Sequence, residues 1–165
     1  MVEITLTING EKRKVQVTPY ERLVDVLRDK LGFTEVKKGC GNGECGSCTI
    51  FLNGKAVTSC LTLAVKANEK NIITASGLAE NGKLHILQEK FVKHEAIQCG
   101  YCTPGMLMSA KALLDSNPNP TEDEVRLAIS GNICRCTGYQ QIVEAIMAAA
   151  DEYENTRNSG EANEQ

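Results

Sequence analysis

The chain has 165 residues, a net charge of −3 and a hydrophobic fraction of 42%, which suits one ordinary globular domain or two small ones. No apolar run approaches the length of a membrane span, charges of both signs are interspersed, and aromatic residues make up only 4% with no Trp; membrane, nucleic-acid and base-stacking roles are not expected. Eight cysteines follow a start, Met1-Val2-Glu3-Ile4, that reads directly as a strand and not as an export signal. That combination points to metal binding in a cytoplasmic protein, not to a disulfide framework.

Ile4, Leu6 and Ile8 alternate with Glu3, Thr5 and Thr7, the pattern of a half-buried strand. Asn9-Gly10 is a hairpin turn signal, and Val15 and Val17 carry the return strand. Thr18-Pro19-Tyr20-Glu21 reads as a capping box, so a helix is expected from Pro19, with Leu23, Val26, Leu27 and Leu31 as its apolar stripe and Gly32 as its stop. Thr49 to Leu52, the turn Asn53-Gly54 and Ala56 to Cys60 predict a second hairpin. Ile72 and Ile73 predict one more strand. Two hairpins, a helix across them and a late strand make a small α+β unit of β-grasp type over residues 1–76.

Residues 77–83 lose periodicity at Asn81-Gly82 and read as a linker. Residues 84–154 then turn helical. Leu84, Leu87 and Phe91 have helical spacing. Thr103-Pro104 opens a second helix carrying Leu107, Ala110 and Leu114, and Ser116-Asn117-Pro118-Asn119-Pro120 breaks it. Thr121-Glu122-Asp123-Glu124 is a capping box for a third, which Gly131 ends. Thr137-Gly138-Tyr139-Gln140 is expected to cap a fourth, carrying Ile142 and Ile146. A small four-helix bundle follows from that order. Residues 155–165 are expected to form a frayed polar tail.

Chemistry is concentrated in the cysteines. Cys40, Cys45 and Cys48 have C-x4-C-x2-C spacing, and Cys60 follows twelve positions later. This is the plant-type spacing of a [2Fe–2S] cluster, in which two irons take four thiolates. A glycine-rich loop can wrap one side of so small a group, and the fourth ligand then comes from a neighbouring strand. Gly39, Gly41, Gly43 and Gly46 let backbone N–H groups approach the sulfurs and stabilise an anionic cluster. A structural zinc site is the competing reading, although zinc usually takes two separated C-x2-4-C pairs.

A second set, Cys99, Cys102, Cys134 and Cys136, lies in the helical half. Each pair is expected directly before a helix N-cap, Thr103 or Thr137, so two helix dipoles would favour thiolates at one site. A C-x-C pair is awkward for tetrahedral zinc. Iron–sulfur is preferred here, with zinc the main rival. His85, His94 and the Met106–Met108 pair are read as surface or packing residues. Glu44 and Arg135, one in each cysteine loop, are read as solvated.

Three motifs carry a resemblance to a known family. They are Lys38-Gly39-Cys40 through Cys48, Gln98-Cys99-Gly100-Tyr101-Cys102-Thr103-Pro104-Gly105-Met106, and Gly131-Asn132-Ile133-Cys134-Arg135-Cys136-Thr137-Gly138-Tyr139. In order and separation they resemble the small iron–sulfur subunit of the molybdenum hydroxylases, the xanthine dehydrogenase and aldehyde oxidoreductase group. The resemblance spans residues 1 to about 153. It implies two [2Fe–2S] clusters, a plant-type ferredoxin-like domain followed by a helical one, and an electron relay. In such enzymes a molybdenum–pterin cofactor on a large subunit hydroxylates the substrate. Electrons leave through the helical-domain cluster, then the ferredoxin-like cluster, then usually FAD on a medium subunit.

Carried over by motif, Cys99, Cys102, Cys134 and Cys136 would hold the molybdenum-proximal cluster, and Cys40, Cys45, Cys48 and Cys60 the distal one. Gln98 would hydrogen-bond the pterin, with Cys136 near its amino group. The implied protein is a non-catalytic subunit of a hetero-oligomeric oxidoreductase. Substrate choice lies in the large chain.

Overall fold

Two tight hairpins frame the sheet. β1 (Val2–Ile8) and β2 (Glu11–Val17) pair antiparallel across Asn9 and Gly10, whose φ values of 50° and 87° are those of a turn matched to strand twist. β3 (Thr49–Leu52) and β4 (Lys55–Thr58) repeat the device at Asn53 and Gly54, with φ of 48° and 78°. β5 (Lys70–Ile73) enters between the hairpins, parallel to β1 and antiparallel to β3, giving the order β2-β1-β5-β3-β4. The computed structural model describes the backbone of residues 1–161 and the side chains of residues 1–152.

One face of the sheet is covered by α1, a short helix at Leu23–Asp25 that widens into a π-helix over Val26–Lys30. Ile4, Leu6 and Ile8 of β1 bury against Leu23, Val26 and Leu27. Gly32, at φ 80°, closes the helix as expected. Its start is not at Pro19. Leu23 N donates to Thr62 O at 2.8 Å and Ala64 N to Glu21 O at 2.8 Å. The backbone of residues 21–23 is thus taken up by pairing with residues 62–64 and cannot also begin a helix. The Thr18–Glu21 box survives only as a turn, with Thr18 N donating to Glu21 Oε2 at 3.0 Å.

The other face is covered by helices. In β3, Ile50 buries among the β1 and α1 side chains, and Phe51 buries on the opposite side against the helical half. A strand buried on both faces reads as a continuous apolar run, as Ile50-Phe51-Leu52 does. Residues 77–83, expected as a linker, begin inside a 3-10 turn at Ala75–Leu78 whose ends bury in the helical core, and continue to a tight turn at Asn81-Gly82.

Among the described residues four helices follow: α2 (Ile86–Lys93), α3 (Thr103–Ser116), α4 (Glu122–Ala128) and α5 (Gln140–Glu161). Leu87, Phe91, Met106, Leu114, Val125 and Ile146 meet in their common core, each fully buried. Burial of one such side chain is worth about 1.5–3 kcal/mol. α3 also lies on β3 and β4, which joins the two halves.

α4 has the complete capping box expected of Thr121 and Glu124. His85, read as a surface or helix residue, is half-buried and caps α2. The expected box at Thr137 does not cap α5. Tyr139 O accepts the first helical bond, from Val143 N at 3.0 Å, because Gly138 and Tyr139 take left-handed φ values of 64° and 71°. α5 also does not fray at residue 155. A helix already nucleated by packing gains one hydrogen bond per added residue, and this one continues to Glu161. The last four residues of the expected tail lie outside the described residues.

Candidate metal centres

The first set is built by the loop between α1 and β3. Cys40 N donates to Cys45 Sγ at 3.3 Å, while Asn42 N and Cys45 N both donate to Cys40 Sγ at 3.4 Å. The amides of Asn42 and Cys45 pull the Cys40 thiol down to about 6. Gly39 is required here, since a Cβ would stand 2.8 Å from Cys45 Sγ. Gly41, Gly43 and Gly46 all have φ between 65° and 87°, which turns successive N–H groups inward.

Cys60 does not sit on the return strand. β4 ends at Thr58, and Cys60 occupies a 3-10 turn at Ser59–Leu61. The Ser59 hydroxyl donates to Cys48 O at 2.7 Å and its amide to the same oxygen at 3.3 Å. This turn sets Cys60 beside Cys48, both 2% exposed. Burial, then the Cys48 thiol, pushes Cys60 up to about 11.

In the second set Cys102 is itself the N-cap of α3, with Thr103 the first helical residue. Cys136 Sγ lies 3.5 Å from Cys99 Sγ, and both residues are exposed. Cys102 and Cys134 meet beneath them. Burial, then the Cys134 thiol, pushes Cys102 up to about 12. Burial alone would raise Cys134 as well. The hydroxyl and amide of Thr137 outweigh it and hold Cys134 below its ordinary value, with Thr137 Oγ1 3.1 Å from the sulfur. Cys99 is lowered by the Tyr101 amide and by Cys136, whereas Cys136 is raised by Cys99.

All eight cysteines carry free thiols. Among the described residues no three Cys, His, Asp or Glu side chains form a group for a single metal ion. The thiols gather instead as pairs: Cys40 with Cys45 and Cys48 with Cys60, then Cys99 with Cys136 and Cys102 with Cys134. Two thiol pairs in each set, with amides directed at sulfur, suit a group of two irons that takes two thiolates each. Gln98 is exposed next to Cys99 and lines a recess of ≈ 470 Å³ with Val92, Glu95, Ile97 and Gln141. Glu44 and Arg135 are exposed, as expected of solvated residues.

Three contacts not anticipated from residue type join the two sets. Tyr101 Oη donates to Lys38 O at 2.8 Å, Ile133 N to Cys45 O at 3.0 Å, and Asn132 Nδ2 to Gly46 O at 3.1 Å. All of these residues lie within the three motifs, but nothing in their chemistry separates a bridging Asn from a loop Asn.

Residues 6–75 match the model of the 2Fe-2S iron-sulfur cluster binding domain, and residues 74–147 that of the [2Fe-2S] binding domain. The small FeS subunit of nicotinate dehydrogenase from Eubacterium barkeri is 51% identical over 154 residues, which is 93% of this chain and 98% of that one. The nicotine 6-hydroxylase small subunit of Paenarthrobacter nicotinovorans is also 51% identical, covering 93% of each. The crystal structure of quinoline 2-oxidoreductase from Pseudomonas putida 86 superposes with a TM-score of 0.89 at 48% identity, over 93% of this chain and 96% of that one.

The chain belongs to the iron–sulfur subunit family of the molybdenum hydroxylases. As a member it is an electron-transfer subunit of a multi-subunit oxidoreductase, associated with [2Fe–2S] clusters and with a large molybdenum–pterin subunit as partner. In the aldehyde oxidoreductase of Desulfovibrio desulfuricans, which has a TM-score of 0.89 at 45% identity, the matched region is only 17% of a longer chain. The fold is α+β with a five-stranded sheet, as in those relatives. No helix among the described residues is long and apolar enough to cross a membrane.

Proposed function

We propose that Cys40, Cys45, Cys48 and Cys60 hold one [2Fe–2S] cluster and that Cys99, Cys102, Cys134 and Cys136 hold the other. The observation that carries this is the pairing of the thiols, with Cys40 accepting two amide hydrogens and Cys134 approached by the Thr137 hydroxyl. When bound, such clusters take up and release one electron at a time. The chain's part is to deliver thiolates in pairs, surround them with N–H donors and fix the two sets relative to each other.

The second set has its exposed edge at Cys99 and Cys136, beside Gln98. That edge is assigned to the large subunit, with Gln98 and Cys136 placed against the pterin. The exposed Cys40 edge of the first set is assigned to the next acceptor, FAD on a medium subunit of the same hetero-oligomer. Residues 1–76 form the ferredoxin-like unit and residues 84–154 a four-helix bundle, with 77–83 connecting them. Eight thiols kept reduced for metal favour a cytoplasmic setting. Two relatives are named for nicotinate and nicotine, so N-heteroaromatic compounds are the substrates to screen first.

The test is metal analysis of the complex purified anaerobically, as wild type and as Cys136→Ser. Two clusters require about four iron atoms per chain, with molybdenum near one per chain from the partner. Cys136→Ser is expected to lose the second cluster and keep the first, leaving about two. Loss of both clusters together would break the two-set division. A molybdenum-free, partnerless iron protein would make this chain a free carrier.

A further inference from the structure

The two thiol sets are tied by a polar junction whose hydrogen bonds reach backbone and a hydroxyl and no sulfur. Asn132 stands two residues before Cys134 and is 3% exposed. Its Nδ2 donates to Gly46 O at 3.1 Å, and its Oδ1 accepts from the Ser109 hydroxyl at 2.7 Å. Its amide donates to Ile129 O at 2.9 Å, and its carbonyl accepts from Tyr139 Oη at 3.2 Å. The following amide, Ile133 N–H, donates to Cys45 O at 3.0 Å.

The places these bonds reach decide their meaning. Gly46 lies between Cys45 and Cys48. Ser109 is on α3, the helix that Cys102 caps. One side chain therefore joins the first loop, the helix of the Cys99–Cys102 pair and the segment of the Cys134–Cys136 pair. Glycines make the approach possible. A Cβ at Gly46 would stand 2.5 Å from Asn132 Nδ2, and one at Gly105 would stand 3.0 Å from the same atom. A buried amide is costly unless all its bonds are made, and an apolar side chain would fill the same space. What the amide adds is direction, because hydrogen bonds specify distance and angle where apolar contact does not.

We infer that Asn132 is a positioning residue for electron transfer, which fixes the spacing between the two thiol sets. The inference rests on the ligand assignment proposed above. The step it serves is passage of one electron from one set to the other, with no bond made or broken and no proton moved. The rate of that passage falls with separation and with loss of bonded contact. The Asn132–Gly46 and Ile133–Cys45 hydrogen bonds hold both at once.

The test compares Asn132→Ala, Asn132→Asp and Ser109→Ala in the assembled complex. Iron per chain reports loading. The electron paramagnetic resonance spectrum of the fully reduced complex reports the magnetic interaction between the two sets, and rapid partial reduction reports how fast the electron equilibrates. Asn132→Ala is expected to keep its iron, weaken the magnetic interaction and slow equilibration measurably relative to wild type. Asn132→Asp keeps the acceptor for Ser109 and loses the donor to Gly46, so it is expected to act in the same direction. Ser109→Ala leaves Asn132 in place and is expected to have a smaller effect of the same kind.

Full iron with wild-type interaction and rate in both Asn132 variants overturns the inference. Should Asn132→Ala not load iron, Ser109→Ala decides, and a wild-type interaction and rate there overturns it equally. A wild-type complex that lacks two interacting clusters would defeat the ligand assignment itself, whatever the variants do.

Discussion

Tyr139 holds Cys134 by its backbone: the phenol oxygen accepts the Cys134 amide hydrogen at 2.9 Å and donates its own to Asn132 O at 3.2 Å. Tyr139→Phe keeps the ring and removes both bonds. The Cys134 amide is then left without its partner at a cost of about 1–3 kcal/mol. Thermal unfolding should shift down, and a chelator should strip the second set faster while the first set keeps its rate. Equal stripping rates in wild type and variant would show that the phenol does not support this loop.

His85 gives the fold a pH dependence of known sign. Its Nδ1 accepts from Leu87 N at 3.2 Å, which requires the neutral ring. Burial lowers its pKa from 6.5, aided by Lys111, while Asp115 and Glu80 oppose the shift. The folded state therefore disfavours the proton. Stability is full above the unfolded value and declines as pH falls through the lowered folded value. The melting temperature should drop as pH falls below the ordinary histidine value of 6.5. His85→Asn keeps a capping acceptor and should flatten that part of the profile. An unchanged profile in the variant would assign the acid loss to other groups.

Gly46 and Gly10 separate steric from conformational cost. Both have left-handed φ, 65° and 87°. A Cβ at Gly10 meets nothing within 4 Å, whereas at Gly46 it would meet the Gly131 carbonyl and the Asn132 amide. Gly10→Ala should cost about 1–2 kcal/mol, the left-handed penalty alone. Gly46→Ala should cost more and also disturb iron loading of both sets. Comparable melting temperatures for the two variants would mean that the junction relaxes around an added methyl.

Lys90 of α2 is paired with Glu152 of α5, and their side chains are 9% and 52% exposed. Glu152→Gln leaves a buried ammonium without its carboxylate. Because Glu152 is half in water, a destabilisation of only about 1 kcal/mol is expected. Lys90→Met keeps the apolar stem and removes the charge, and should be close to neutral. Urea midpoints of the two variants check the asymmetry. A larger loss from Lys90→Met would mean that the ion pair itself stabilises the contact.

Local signals were the legible ones. Asn9-Gly10 and Asn53-Gly54 prescribe their turns through backbone preference alone, and Thr121 with Glu124 caps its helix within one turn of chain. The misplaced features depend on distant partners. α1 starts late because residues 21–23 hydrogen-bond to residues 62–64. Cys60 leaves its strand because Ser59 bonds back to Cys48 O. α5 starts after Tyr139 because that residue turns to serve Cys134 and Asn132. The thiols of each set do lie together, and the grouping of the cysteines into two sets of four could be read from the motifs. The role of Asn132 could not, since its partners lie 86 and 23 residues away.

The placement of Phe51 bears on how the protein is made. It belongs to a strand completed early in the chain, yet it buries against helices that begin at Ile86 and Thr103. Synthesis proceeds from the N-terminus at about 5–20 residues per second. The nascent sheet therefore emerges from the ribosome with one apolar side open, and stays so for several seconds until α3 is complete. During that interval the first cysteine loop also lacks Asn132 and Ile133 as its props. An apolar face left open during synthesis is the surface most exposed to aggregation until the helices cover it.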